Sequence, residues 1–305
     1  MSTGTPAHQA PPTAAHRPPR RRDRALPART GFLLPAVVLV TVLSTVPFVL
    51  TLWRSFHDDR FVHPGWAGVD TYIQMLSDPV VLRSLLNTLF WLVGTVVLPV
   101  GLGLLVAVMT ERLSWGRWAR TAVVLPYALS GSAVAVVWNF LLQDNGALNS
   151  ALHALGLGAF AHGWLLTWPG NTVVLIVANA WQATGVAVIL YLVGLQGIPP
   201  ETVEAAALDG AIGWTRFRHI VLPQLRGTTV VVVGISLAGG LKAFDLIWVL
   251  TGGGPGRSTE TLAVSMYWES FVLQRPGSGA ALAVVLTLVV VATSVAYLRR
   301  QLRSA

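Results

Sequence analysis

Apolar residues in this chain gather in long runs whose ends are marked by charge. Residues 31–53 lie between Arg29 and Arg54, 84–110 between Arg83 and Glu111, and 121–143 between Arg120 and Asp144. Residues 145–200 carry no charge at all, which is too long for one helix. Its first half is broken by Gly146, Gly156, Gly158, Gly163, Pro169 and Gly170, so its helical part is placed at 171–195. Residues 227–250 are interrupted only by Lys242 and Asp245, and 276–298 form the last run. A bilayer core of ~30 Å needs about 20 apolar residues in a helix. The pattern therefore predicts an all-α membrane protein with six transmembrane helices in one domain, residues 31–305. Residues 1–30 are rich in Pro, Ala and Arg without apolar periodicity and read as a disordered basic tail. The run at 31–53 is too long for the apolar region of a signal peptide, and no small-residue cleavage site follows it, so an uncleaved first helix is expected.

Composition sharpens this picture. The 305 residues are 53% hydrophobic and 11% charged, against about 25% charged in a soluble domain. Cysteine is absent, which removes disulfides, thiol catalysis and Cys-ligated metals. The net charge of +8 would suit a nucleic-acid binder in a soluble protein. Here the apolar runs turn the charge into a topology signal, since Lys and Arg concentrate in cytoplasmic loops. With the N-terminus inside, segments 1–30, 111–120, 196–226 and 299–305 hold 15 Lys and Arg, while 54–83, 144–170 and 251–275 hold 5. Both termini are thus expected in the cytoplasm, and no nucleic-acid partner is expected.

The longest inner loop, 196–226, has a shape written into it. Pro199 and Pro200 end the preceding helix, because proline lacks an N–H and disfavours helix at the residue before it. Glu201 opens a short helix with a carboxylate at its N-terminus, and Gly210 can stop it. Gly213 begins a second short segment with Trp214, Arg216, Phe217 and Arg218, and Pro223 leads into the fifth span. Such a helix–Gly–helix elbow is too short to be a domain and is suited to the groove of another protein.

In this loop Glu204, Ala205 and Ala206 are followed by Gly210, Ile220, Leu222 and Pro223 at fixed spacing. The pattern resembles the EAA loop of permease subunits of binding-protein-dependent ABC importers. The resemblance implies a type I ABC importer permease architecture, with these seven residues in the coupling helices that dock into an ATPase subunit. It also implies that ATP and Mg are bound on that partner, with no cofactor in this chain. The residues agree: a P-loop needs Gly-Lys-Ser/Thr, and the sole lysine, Lys242, is followed by Ala243. The Gly-rich stretch 251–256 is followed by Arg257 and reads as a turn.

The segments 125–140, 144–149, 191–199 and 244–262 resemble the carbohydrate branch of these importers, and within it the maltose-transporter F-subunit type. The chain departs from that type in having six spans and no large periplasmic insertion, a form shared by shorter sugar and glycerol-phosphate permeases. The resemblance implies a sugar importer in a bacterial or archaeal cytoplasmic membrane. Its other parts would be a second permease subunit forming a heterodimer, two ATPase subunits and an extracytoplasmic sugar-binding protein. The alternatives are a permease for polyamine, phosphate or peptide, or a secondary transporter, which would want buried acids in several spans; Asp245 is the sole acid within one.

Polar groups at membrane depth mark candidate pathway residues. Lys242 and Asp245 are three residues apart, hence on one face of the fifth helix, and either line the pathway, neutralise each other or snorkel to the outer interface. Ser236 matches a sugar-contacting serine position of the maltose-permease pattern, where Gly240 and Ala243 replace asparagines. In the fourth span, Trp181 suits stacking on a sugar ring, and Asn179, Gln182 and Thr184 suit hydroxyl recognition. Asn87 and Asn139 serve equally as pathway groups or as helix-to-helix glue. Tryptophans at span ends, such as Trp53, Trp164 and Trp168, fit interfacial belts. The seven His form no H-x-x-x-H pair, so no metal site is expected, and no catalytic set emerges.

Overall fold

A computed structural model describes residues 26–59, 65–111, 113, 115–241 and 243–304. Helices are α1 (Leu26–Val40), α2 (Val46–Arg54), α3 (Asp70–Ser77), α4 (Pro79–Thr110), α5 (Gly116–Val124), α6 (Gly131–Leu142), α7 (Ala147–Ala154) and α8 (Gly170–Gln196). They continue with α9 (Pro200–Leu208), α10 (Gly213–Arg216), α11 (Leu222–Gln224), α12 (Arg226–Leu241), α13 (Asp245–Thr251), α14 (Leu262–Tyr267) and α15 (Pro276–Ser304). Four stretches are long and apolar enough to cross a membrane: Leu33–Arg54, Pro79–Thr110, Gly170–Gln196 and Pro276–Arg299. Two bent helix pairs raise the number to six if each counts as one span.

The chain divides into two compact units at Val49/Leu50. In the first, helix begins at Leu26, within the stretch 1–30 read as a disordered tail; the rest of that reading, residues 1–25, lies outside the described residues. A π turn at Thr41–Thr45 widens the helix just before Pro47, which cannot donate to the ladder. Side chains 33–49 are all exposed, as an apolar helix meeting lipid would be.

In the second unit, α4 and α8 pack along their length. Small residues allow it: a Cβ on Gly94 would collide with Ile176, and one on Gly103 would sit 2.5 Å from the Ala187 Cβ. One core joins Trp91, Val134, Leu175, Ile176, Ile247 and Val264; a second joins Ala107, Tyr191, Leu195, Leu225 and Val232.

Two spans expected as single helices are broken. The run 121–143 becomes α5, a 3-10 turn at Leu125–Ala128 and α6, with Gly116–Ala128 and Gly131–Ala154 meeting at 108°. Pro126 disfavours helix before it, and Ser130 restarts one, its Oγ accepting from the Ala133 N–H at 3.1 Å. The run 227–250 stops at Leu241 and restarts as α13. There the freed Ala243 carbonyl accepts from Thr261 Oγ1 at 3.0 Å.

Candidate functional site

The elbow is built by glycine. Helix α9 ends in a Schellman motif: the Gly210 N–H donates to Ala207 O at 3.1 Å, and the Ala211 N–H donates to Ala206 O at 2.8 Å. This requires the left-handed backbone of Gly210, φ +81°. Gly213 repeats the device at φ +56° to start α10. Glu204, Ala205 and Gly210 are exposed, while Ala206 is buried within the chain and Ile220 is half-buried. Leu222 and Pro223 are exposed. Around Gly210 stand two apolar side chains that sequence reading passed over, Leu208 at 90% and Ile212 at 71% exposure. The signal for them was their position flanking the elbow glycine. Glu204 also borders a cavity of about 410 Å³ with Glu111 and Arg216.

Beyond α10 a π turn at Phe217–Val221 accommodates Pro223. The backbone then turns by 67° at the junction of Gly213–Gln224 with Arg226–Leu241. The bend is seated on α8. Leu225 is fully buried, and a Cβ on Gly194 would lie 2.9 Å from Leu225 Cδ2. Tyr191 OH donates to Thr229 Oγ1 at 3.3 Å, and Thr229 Oγ1 donates to Leu225 O at 2.9 Å.

About midway along the bundle, α4, α8 and α12 border an open cavity of about 230 Å³. Four of the expected pathway residues line it: Asn179, Gln182, Ser236 and Gly240. Thr95 and Tyr127 join them, unforeseen because they come from other helices. Gly240 brings α12 close to α4, since a Cβ there would strike Thr95 Oγ1. Gln182 Nε2 donates to Leu129 O at 2.6 Å and Thr95 Oγ1 to Trp91 O at 2.6 Å. The side chains of Asn179, Ser236 and Tyr127 have no hydrogen-bond partner among the described residues. The cavity thus offers an amide, two hydroxyls and the free Gln182 oxygen beside apolar Val186 and Ile235.

The other expected pathway residues go elsewhere. Thr184 is buried and donates to Ala180 O at 2.6 Å, within its own helix. Trp181 meets Trp138 edge-on, with ring centroids 6.2 Å apart, outside the cavity lining. Asp245 is exposed at the start of α13, a helix separate from α12, so the single fifth helix expected to carry it is not continuous. Lys242 lies outside the described residues.

At the end of the bundle away from the elbow, Asn87 acts as glue. Its Nδ2 donates to Ser258 O and Glu260 O, both at 2.8 Å, and its Oδ1 accepts from Trp168 Nε1 and Thr172 Oγ1. The Gly-rich segment is a turn held by charge: Arg257 Nε and Nη2 grip the two Glu260 oxygens at 2.5 and 3.0 Å, and Nη1 reaches Glu269 at 3.1 Å. Burial pushes the Glu260 carboxyl above its ordinary range, although hydrogen bonds from Arg257 and Ser265 pull the other way. Among the described residues no His/Asp/Glu group has metal-site geometry.

Comparison with known proteins gives these observations a context. Residues 99–304 match the family described as binding-protein-dependent transport system inner membrane component. A probable ABC transporter permease protein of Pyrococcus horikoshii is 36% identical over 282 residues, covering 91% of this chain and 97% of that protein. The alpha-glucoside transport system permease protein AglF of Rhizobium meliloti is 34% identical, covering 85% of this chain and 78% of its own length. A crystal structure of a bacterial alginate ABC transporter, in complex with an alginate pentasaccharide-bound periplasmic protein, superposes with a TM-score of 0.76. That match has 22% identity over 90% of this chain and 93% of the other, and so speaks to the fold.

Proposed function

Since this chain belongs to the family of binding-protein-dependent transport system inner membrane components, we propose that it is the permease subunit of an ATP-driven sugar importer. It forms half of the translocation pathway, beside a different second permease subunit. Two ATPase subunits hold ATP and Mg and grip the two elbows. An extracytoplasmic binding protein delivers the sugar. Both termini face the cytoplasm, and the elbow is cytoplasmic.

The observation that carries this reading is the exposed apolar tip, Leu208 and Ile212, on an elbow whose shape glycine sets locally. A tip of that kind is built to be covered by another protein. The elbow is also connected to the cavity. Helix α8 carries Asn179 and Gln182 and runs into α9, while α12 carries Ser236 and Gly240 and emerges from α11. Asn179 stands 17 residues before the end of α8 at Gln196, about 26 Å at 1.5 Å per residue. Closure of the ATPase dimer pulls on the elbow, the bend seated on Tyr191 and Gly194 passes the motion to both helices, and the cavity walls shift outward. Hydrolysis resets them. The cavity itself is smaller than the roughly 300–1,000 Å³ of complete ligand pockets, as half of a shared site would be. Its free amide and hydroxyls suit sugar hydroxyls, which both donate and accept.

The test is co-purification of the tagged chain from mild detergent, followed by mass spectrometry. A second permease and a P-loop ATPase are expected, with the ATPase lost on Gly210→Asp. Recovery without any ATPase would overturn the coupling reading. Titrating the co-encoded binding protein with sugars, glycerol phosphate and polyamines then decides the substrate class.

A further inference from the structure

Helices α12 and α15 leave two cavities in series between them, a crevice parted by Tyr297. At the elbow end it opens as a cavity of about 980 Å³, bordered by Trp214, Arg218, Pro223, Arg226, Thr229 and Gln301. None of its lining residues is acidic. Arg218 and Arg226 have no hydrogen bond or ion pair among the described residues. One helical turn further along lies a mostly apolar groove of about 350 Å³, between Leu237, Ala238 and Leu241 on α12 and Val290 and Leu298 on α15, with Thr293 and Ser294 as its hydroxyls. Tyr297 stands at the boundary, its OH donating to Val230 O and its ring lying over Gly234.

We propose that this crevice binds one anionic phospholipid, with its phosphate-bearing headgroup at Arg218 and Arg226 and an acyl chain along the α12–α15 groove. The charge pattern selects this occupant. Two unmatched guanidiniums at the membrane boundary call for an anion, and basic pockets between spanning helices hold anionic headgroups. Free phosphate has no use for the groove. A partner's apolar helix would fill the groove and leave both arginines unmatched. The groove residues from Gly234 to Leu241 span seven steps, about 10 Å at 1.5 Å each, which lies within the ~15 Å of one leaflet's hydrocarbon. The headgroup would touch the segment between the elbow and α12, so the lipid becomes a wedge in the part that moves. Its cytoplasmic-leaflet placement and its role as a wedge rest on the orientation and the motion proposed above; its binding does not.

The test uses the complete transporter reconstituted in vesicles of phosphatidylglycerol and phosphatidylcholine, with a trace of phosphatidylglycerol carrying a photoreactive acyl chain. Crosslinks are expected in 230–241 and 290–298, with phosphatidylglycerol retained through native mass spectrometry in preference to phosphatidylcholine. The Arg218→Gln/Arg226→Gln double variant should lower that preference by about thirty-fold, two basic contacts' worth, and the corresponding double Lys variant should keep most of it. Ala238→Phe should remove the acyl crosslink while both arginines remain. Equal retention of the two lipids by the wild type overturns the proposal. So does displacement of phosphatidylglycerol by inorganic phosphate, or crosslinking of the groove to a partner polypeptide. Retention is read apart from ATPase co-purification, so failure of either reading leaves the other standing.

Discussion

Two regions at opposite ends of the helix bundle, the Arg257–Glu260 turn and the elbow, obey opposite rules. At one end Asn87, Arg257, Glu260, Glu269 and Ser265 saturate one another, and Thr259, Glu260 and Thr261 are almost completely buried. At the other, Leu208 and Ile212 stand exposed and Arg218 and Arg226 lack partners among the described residues. Buried charge is tolerated only where it is paired and hydrogen-bonded. Exposed apolar groups on a structured elbow signal an interface completed by another molecule. The Arg257–Glu260 turn is therefore satisfied within the chain, while the elbow leaves apolar and charged groups open to another molecule.

Substitutions that break this contrast should separate folding from coupling. Arg257→Gln strands Glu260 in a buried site and should cost about 3–5 kcal/mol, read as loss of folded protein in detergent by size-exclusion fluorescence. A folded, thermally normal variant would deny that this end is self-sufficient. Leu208→Asp should behave oppositely. Its effect on stability should stay within about 0.5 kcal/mol, while ATPase co-purification falls by about 2 kcal/mol or more of binding energy. Unchanged co-purification would show that the tip is not the contact.

Smaller effects are expected between the ends. Asn179→Ala removes a free amide from the cavity and should weaken uptake by about 1 kcal/mol, roughly fivefold in apparent KM, with insertion unaffected. An unchanged KM would place the pathway elsewhere. Tyr191→Phe removes the long 3.3 Å bond to Thr229 and should cost about 0.5 kcal/mol of stability. Its signature is a lower transport rate per ATP hydrolysed, since the elbow's bend is less firmly tied to α8. Unaltered coupling would transfer that role to Gly194 and Leu225 alone.

Much of this was legible in the residues. Span lengths followed from apolar runs, and α8 and α15 fall within a residue or two of the expected 171–195 and the start at 276. The elbow was legible because Gly210 and the Pro199–Pro200 pair act on their immediate neighbours. The breaks in the third and fifth apolar runs were not read. Pro126 signals the first, but at the second the freed Ala243 carbonyl is met by Thr261, 18 residues away. The cavity was half visible: amides in α8 and Ser236 were singled out, while Thr95 and Tyr127 were not. Trp181 and Thr184 looked equal to Asn179 in sequence, yet helical rotation turned one toward Trp138 and the other into its own backbone.

The sequence by itself determined what short-range physics controls: how many apolar segments there are, which loops carry the positive charge, and where glycine permits a tight elbow. Tertiary structure alone decided which polar side chains share a cavity, which are consumed as glue, and which stay unpaired. Those outcomes depend on the rotation and contact of helices distant in the chain. Here that contact is set by small residues such as Gly94, Gly103, Gly194 and Gly240, each meaningful only against the neighbour it admits.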